Sequence, residues 1–259
     1  MIRNLRELYQ YRALLWSLVV RELRARYRGS LLGFLWTFLN PTLLMLVYAL
    51  VFSVYMRQAV QNYTYFLFVG LLPWIFFSSS VSGSSTSITD RRDLLTKVRF
   101  PAQILPATVV ATNLINYFLS LPLMVALGLA YGVVPSWHIV AFPVIVAVQT
   151  VFILAFSYVI AALNVVFRDL QHVTANVLTL WFFVTPVLYP VTTIPSSIRQ
   201  EAILANPMAV IATSYQAIFY ERRLPAAIPL VLVAALSIAL LAVAAAIFKR
   251  RQEEFAELI

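Results

Sequence analysis

The stretch AQILPATVVATNLINYFLSLPLMVALGLAY (102–131) decides the fold of this chain, since it contains no Asp, Glu, Lys, Arg or His. About 20 apolar residues in a helix cross the roughly 30 Å hydrocarbon core of a bilayer. Similar stretches lie at 31–56, 64–88, 139–166, 175–191 and 228–248. The sequence therefore predicts an all-α integral membrane protein with six transmembrane helices. The fifth stretch is short and bracketed by Pro186 and Pro190, so we expect it to end early or bend.

The composition excludes several classes of protein. The chain of 259 residues is 62% hydrophobic and 11% charged, whereas soluble domains carry about 25% charged residues. A soluble enzyme, a disordered chain and an ordinary DNA-binding domain are therefore excluded. With no Cys, two His and no Gly-Lys pair, the sequence offers no disulfide, metal centre or phosphate-binding Walker loop. We expect this chain to bind no cofactor itself.

The distribution of basic residues predicts the topology. All but four of the 19 Lys and Arg lie in the first 30 residues, in the loop 89–100, at Arg168 or in the tail 249–259. By the positive-inside rule, both termini face the cytoplasm, and the chain is a multi-pass protein of the cytoplasmic (inner) membrane. The basic pI of about 10.0 is then a topology signal, and we expect membrane lipid rather than nucleic acid as a partner.

Residues 1–30 precede the six-span domain, which occupies 31–248. They predict a cytoplasmic amphipathic helix that lies in the headgroup plane, because apolar residues alternate with arginines. The apolar positions are Ile2, Leu5, Leu8, Leu15, Trp16, Val19 and Leu23. The alternative is a positive-inside anchor with no further role.

The predicted spans contain no Asp, Glu, Lys, Arg or His. Ion-coupled transporters and intramembrane enzymes need such groups at membrane depth, because those groups carry the coupling charge or the chemistry. We therefore expect neither catalysis by this chain nor transport driven by ions. The energy for any work must come from a partner.

The first span carries a row of large side chains at intervals of three and four, apart from a gap at Pro41. The row consists of Phe34, Phe38, Met45, Tyr48, Phe52 and Tyr55. Aromatic faces stack on sugar rings, and tyrosine hydroxyls can bond to sugar hydroxyls. The row is therefore a candidate lining for a sugar conduit, although helix packing or lipid contact would require the same spacing. In the second span, Ser79, Gly83 and Ser87 form a ladder of small residues that favours close helix packing, within the chain or between copies.

Four segments, taken in order, resemble the polysaccharide-export permeases of type-2 ATP-binding-cassette transporters, which export O-antigen, capsule and teichoic-acid chains. These segments are RELRARYRGSLLGFLWTFLNP (21–41), DRRDLLTKVRFPAQILP (90–106), FRDLQHVTANVLTLWFFVTPVLYP (167–190) and NPMAVIATSYQAIFY (206–220). Each segment is loosely defined alone, but the ordered set extends over nearly the whole chain.

The resemblance implies a homodimer of this chain bound to two copies of a nucleotide-binding ATPase subunit, which holds the ATP and Mg. The cargo would be a lipid-linked polysaccharide, with span one lining its path. Short re-entrant helices would form an external gate within 192–227, although a simple folded external loop would explain the same residues. The loop 89–100 would couple the permease to ATP hydrolysis through Arg91, Arg92, Asp93, Lys97, Arg99 and Phe100, with Arg168 and Asp169 as a second contact. Both loops could instead be no more than positive-inside flanks.

Two other functions remain open on the sequence. The permease of a small-molecule or drug exporter would share the coupling loops but need no continuous aromatic lining. A non-catalytic membrane scaffold of envelope synthesis would show no ATP-dependent flux.

Overall fold

The computed structural model of the protein describes residues 9–27, 32–57, 59–97 and 100–258, without the side chains of residues 27, 96, 97 and 249–258. All regular structure within these ranges is helical. The helices are α1 (Arg12–Tyr27), α2 (Trp36–Ala49), α3 (Tyr63–Ser85), α4 (Arg92–Lys97), α5 (Ile104–Ala130), α6 (Phe142–Val166), α7 (Leu170–Val184), α8 (Arg199–Leu204), α9 (Pro207–Phe219) and α10 (Ala227–Leu258). A 3-10 turn precedes α2 at Gly33–Leu35, and π-helical backbone continues it over Leu50–Tyr55.

The prediction of an all-α membrane protein is confirmed. Among the described residues, five helical segments are long and apolar enough to cross a bilayer. They are Gly33–Tyr55, Tyr63–Ser85, Ile104–Ala130, Trp137–Val166 and Ala227–Phe248. They coincide with predicted spans one, two, three, four and six to within a few residues.

The fifth predicted span differs from the helix that the structure contains. Helix α7 begins at Leu170 and ends at Val184, so at about 1.5 Å per residue its 15 residues fall short of the hydrocarbon thickness. It ends because Thr185 takes an extended conformation, as a residue before a proline prefers. The count of six membrane crossings therefore stays a prediction.

Helix α3 is the centre of the bundle and contacts α2, α5, α6, α7 and α9. Its aromatic side chains are almost fully buried, and Phe77 stacks against Phe152 of α6 at a ring distance of 5.7 Å. The most extensive helix pair is α6 with α10, where the Tyr158 and Phe248 rings lie 5.3 Å apart.

Small residues allow close contacts within the chain. A Cβ atom added at Gly83 would lie 3.0 Å from Val109 of α5, and one at Gly128 would lie 2.9 Å from the Tyr65 ring. These distances leave little or no room for a methyl group. At these two glycines, the small-residue positions serve packing within one copy.

The N-terminal helix α1 packs against α5. Its buried positions are Leu18 and Val19, whereas Trp16 is 60% exposed. The predicted apolar positions Ile2, Leu5 and Leu8 lie outside the described residues. The placement of α1 in the headgroup plane stays a prediction.

Candidate functional site

The predicted coupling loop is anchored to the helix bundle by its apolar residues. Ile88 is fully buried in a cluster with residues of α6 and α10. Leu94 and Leu95 of α4 contact the cluster formed by Leu18 and Ile104, while Arg92 and Asp93 on the same short helix are exposed. Helix α4 is therefore amphipathic, with Arg92 and Asp93 at the surface.

Two of the predicted coupling residues make contacts within the chain. The Arg91 guanidinium forms an ion pair with Glu22 of α1, so the loop and the N-terminal helix are joined directly. Phe100 is buried against Leu18 and Leu105. In this single chain, Phe100 holds the loop in place and offers little surface to a partner. Arg99 and the side chain of Lys97 lie outside the described residues.

A polar cavity of about 320 Å³ brings the two predicted coupling segments together. Arg92 from the first segment and Arg168 from the second both line it. The remaining lining residues are Thr86, Thr89, Asp90, Asn164, Val165 and Gln171. The Asn164 side-chain oxygen accepts a bond from the Gln171 backbone N–H at 3.1 Å, which fixes the start of α7 against the end of α6. We call this cavity and its rim the coupling surface.

The rim of the coupling surface carries further exposed residues. Asp169 is exposed beside Arg168, and the neighbouring Phe167 is 63% exposed. An exposed aromatic ring near charged side chains is a common feature of the contact surface for another protein. In the sequence the two charged loops are far apart, whereas in the structure they lie together and form one polar and aromatic surface.

The aromatic row of span one is divided between packing and exposure. Phe34 and Tyr55, at its two ends, are 45% and 71% exposed. Phe38 is half-buried and meets Phe34 edge to face at 5.4 Å. Tyr48 lies 5.5 Å from the Phe182 ring of α7, and Phe52 stacks on Tyr63 of α3 at 6.4 Å. The structure thus does not present the row as one open face.

The segment between α7 and α10 is held to the bundle by side-chain amides. Asn206 caps α9 by accepting from the Ala209 N–H, and it also accepts from the Trp181 ring N–H at 2.8 Å. Gln216 donates to the carbonyl of Pro186 at 2.8 Å. Nearly all of α9 is buried, against α3, α6 and α10. This part of the predicted external gate segment is a packed element.

Several of these polar positions were not singled out as sites from the sequence. Asn164, Gln171 and Asp90 line the coupling surface, and Glu22 pairs with Arg91 across the chain. Their signal was weak, because Asn164, Gln171 and Asp90 are single polar residues near predicted span ends and Glu22 is one acidic residue in the predicted N-terminal helix. Asn206 could have been found from Asn-Pro before an apolar run, which is a helix-start pattern.

In the part of the chain that the structure describes, there is no group of three or more His, Cys, Asp or Glu side chains that could hold a metal ion.

The chain was compared with protein families and with proteins of known name. The profile of the ABC-2 type transporter family matches residues 13–220. The O-antigen export system permease protein RfbA of Myxococcus xanthus is 65% identical, with 100% of each chain covered. A protein of the same name from Klebsiella pneumoniae is 33% identical over 77% of each chain. The polysialic acid transport protein KpsM of Escherichia coli is 24% identical over 78% of this chain and 80% of its own length.

Proposed function

The chain belongs to the ABC-2 type transporter family, and we propose that it is the permease subunit of an exporter that moves lipid-linked polysaccharide of the O-antigen type. The observation that carries this proposal is the 65% identity, over 100% of each chain, to a protein named as an O-antigen export permease. The chain is a transport subunit, and the hydrolysis of ATP takes place elsewhere in the complex.

In this proposal, the ATPase subunit binds the coupling surface and transmits the conformational changes of ATP hydrolysis to the permease through it. A homodimer of the chain binds two copies of a nucleotide-binding ATPase subunit, and these subunits hold the ATP and Mg. The convergence of Arg92 and Arg168 on one cavity supports a single docking surface on each protomer. The ion pair between Arg91 and Glu22 joins that surface to α1, so a movement of the loop is passed directly to the N-terminal helix.

The chain lies in the cytoplasmic (inner) membrane with both termini in the cytoplasm. The proposal includes six crossings, the fifth made by α7 together with residues 185–190, which form bends and turns. Tyr63 at the start of α3 donates to the Leu188 carbonyl at 2.7 Å, which supports a fixed position for this segment beside a spanning helix. The buried carbonyl groups of such a segment need protein donors at membrane depth.

Helix α9 is proposed as a re-entrant helix of the external gate. Its Tyr215 hydroxyl donates to the Gln149 side chain of α6 at 2.7 Å. The same Gln149 donates to the Pro73 carbonyl, near the middle of α3, at 2.8 Å. Contact with the middle of a spanning helix supports a position for α9 well inside the membrane region.

The cargo path is proposed to use weak, repeated contacts. A polymer that slides through a membrane would be held back by one tight site, whereas single aromatic contacts contribute about 1 kcal/mol each. The exposed Phe34 and Tyr55 of span one are suited to this role. A drug-exporter permease would share the family and the coupling surface, but the named relatives in three bacteria concern O-antigen or polysialic acid, which favours a polysaccharide.

The test is a deletion of this chain in its bacterial host, followed by complementation. We expect polysaccharide to disappear from the cell surface and lipid-linked polymer to accumulate inside. Complementation should restore export only when the partner ATPase is active. Unchanged surface polysaccharide, together with ATP-dependent efflux of a small molecule, would instead identify a drug exporter.

A further inference from the structure

A cavity of about 920 Å³ lies between α2, α3 and α5, beside the end of α1. Cavities that bind small molecules measure about 300–1,000 Å³, so this one could hold a headgroup of one or two sugar rings. It is separate from the coupling surface and shares only Tyr48 with the predicted channel residues. We call it the α2 groove.

The α2 groove is polar at one end and apolar at the other. Thr37 and Asn40 of α2, Asn113 and Asn116 of α5, Ser78 of α3 and Arg26 of α1 line the polar end. The polar residues of α2 lie in its first turns and Ser78 lies in the last third of α3, whereas Asn113 and Asn116 lie near the middle of α5. The positions in α2 and α3 are consistent with one membrane side, because α3 runs antiparallel to α2 in the predicted topology. By that topology, the polar end faces the cytoplasm.

The apolar end continues along the same helices toward the bilayer centre. It is lined by Leu43, Leu44 and Val47 of α2, and by Leu72 and Phe76 of α3. The three α2 side chains are 43–57% exposed, so a hydrocarbon chain can reach them from the lipid. The groove therefore has the polarity of a lipid molecule, with a headgroup end and a tail end.

The chemistry of the polar end fits a phosphate that carries a sugar. The Arg26 guanidinium lies 3.5 Å from the Asn113 side-chain oxygen, so it stands at the groove wall. A guanidinium can bind two phosphate oxygens in parallel. Asparagine amides both donate and accept, as sugar hydroxyls require. Polar side chains are costly at membrane depth, and their gathering in one groove favours a polar ligand.

We propose that the α2 groove binds the headgroup end of a lipid-linked saccharide, with the phosphate at Arg26, the first sugar on Asn40 and Asn116, and the lipid chain along Leu43–Val47. The inference rests on the proposed function and adds a loading site outside the aromatic row. Such a site would hold the lipid end of the substrate while the polymer enters the exporter.

The binding test uses the permease with its ATPase partner, in nanodiscs of zwitterionic lipid. The probes are a farnesyl diphosphate-linked disaccharide, farnesyl diphosphate alone, and phosphatidylglycerol. We expect the disaccharide probe to bind tightest, and Arg26→Gln and Asn40→Leu each to weaken it about tenfold, the effect of losing a hydrogen bond to a charged or buried polar group. The matched controls are Arg24→Gln, on the exposed side of α1, and Asn176→Leu, exposed on α7; both should bind as the unmodified protein does.

A second measurement does not depend on variants. A farnesyl chain with a photoreactive group should label α2 within 43–47 or α3 within 72–76. Labelling elsewhere, or equal binding by Arg26→Gln and Arg24→Gln, would overturn the site. Tightest binding of phosphatidylglycerol would mean that the groove holds an ordinary anionic lipid and would also overturn it. These failures leave the proposed function intact if the unmodified complex exports polymer. Absence of polymer export by the unmodified complex would contradict the proposed function itself.

Discussion

Gln149 of α6 connects three elements through one side-chain amide. Its N–H donates to the Pro73 carbonyl of α3, and its oxygen accepts from the Tyr215 hydroxyl of α9. Gln149 is completely buried. No charged residue is among the buried side chains that the structure describes. In such a helix bundle, buried amides hold the elements in register, because an unpaired polar group in apolar surroundings is costly.

We expect Gln149→Leu to lower the stability of the protein by about 1–3 kcal/mol, since it leaves the Tyr215 hydroxyl and the Pro73 carbonyl without this partner. Thermal unfolding of the purified protein in detergent should show a lower Tm. The control is Gln200→Leu, at an exposed position of α8, which should leave Tm unchanged. Equal Tm values for the two variants would show that the amide contributes nothing to stability.

At the scale of elements, span one separates into a packed part and an exposed part. Phe52 stacks on Tyr63, whereas Tyr55 is 71% exposed. We expect Phe52→Ala to lower Tm, by part of the roughly 3–5 kcal/mol that the loss of a fully buried aromatic costs. Tyr55→Ala should leave Tm unchanged and lower polymer export. If both variants export normally, the row faces lipid or serves packing, and the path lies elsewhere.

The coupling surface gives a second prediction at this scale. The double change Arg92→Glu and Arg168→Glu places two negative charges where the proposed partner meets positive ones, and like charges across an interface cost several kcal/mol. We expect co-purification of the ATPase subunit to fall at least about tenfold, with membrane abundance unchanged. The control is Arg222→Glu, which reverses one exposed charge on the predicted outer side. Normal co-purification of the double variant would remove the proposed contact.

The elements that depend on local sequence were predictable, and those that depend on distant contacts were not. The five long spans follow from runs of apolar residues, and Pro186 predicted the early end of α7. The burial of Phe100 depends on Leu18, far away in the chain. The meeting of Arg92 with Arg168 likewise depends on how α3 packs against α6. The α2 groove could have been suspected from Asn113, Asn116 and Ser120, which share one face of α5.

At the scale of the whole molecule, charge and polarity follow one axis. Of the basic residues that set the predicted topology, Arg92 and Arg168 line the coupling surface and Arg26 lines the polar end of the α2 groove. Asn206 and Gln216, which hold α9 and residues 185–190 in place, lie at the opposite predicted side. The proposed ATPase contact, the proposed loading site and the proposed exit gate therefore follow one another along this axis, from the predicted inner side to the predicted outer side. Its orientation in the membrane is a separate prediction.

The chain contains no Cys, so single cysteines can report the topology without background. We expect Gln61→Cys and Gln200→Cys to react with an impermeant thiol reagent added to intact spheroplasts, because both side chains are exposed on the predicted outer side. Gln200 is preferred to its neighbour Arg199, whose guanidinium donates to the Ile194 carbonyl. Phe167→Cys and Phe255→Cys should react only after the membrane is opened, since the positive-inside rule places both in the cytoplasm. Labelling of Phe167→Cys in intact spheroplasts would invert the proposed orientation and place the coupling surface on the side that has no ATP. Protection of Gln200→Cys together with Phe167→Cys would mean that α7 does not cross, and the number of crossings would then be five.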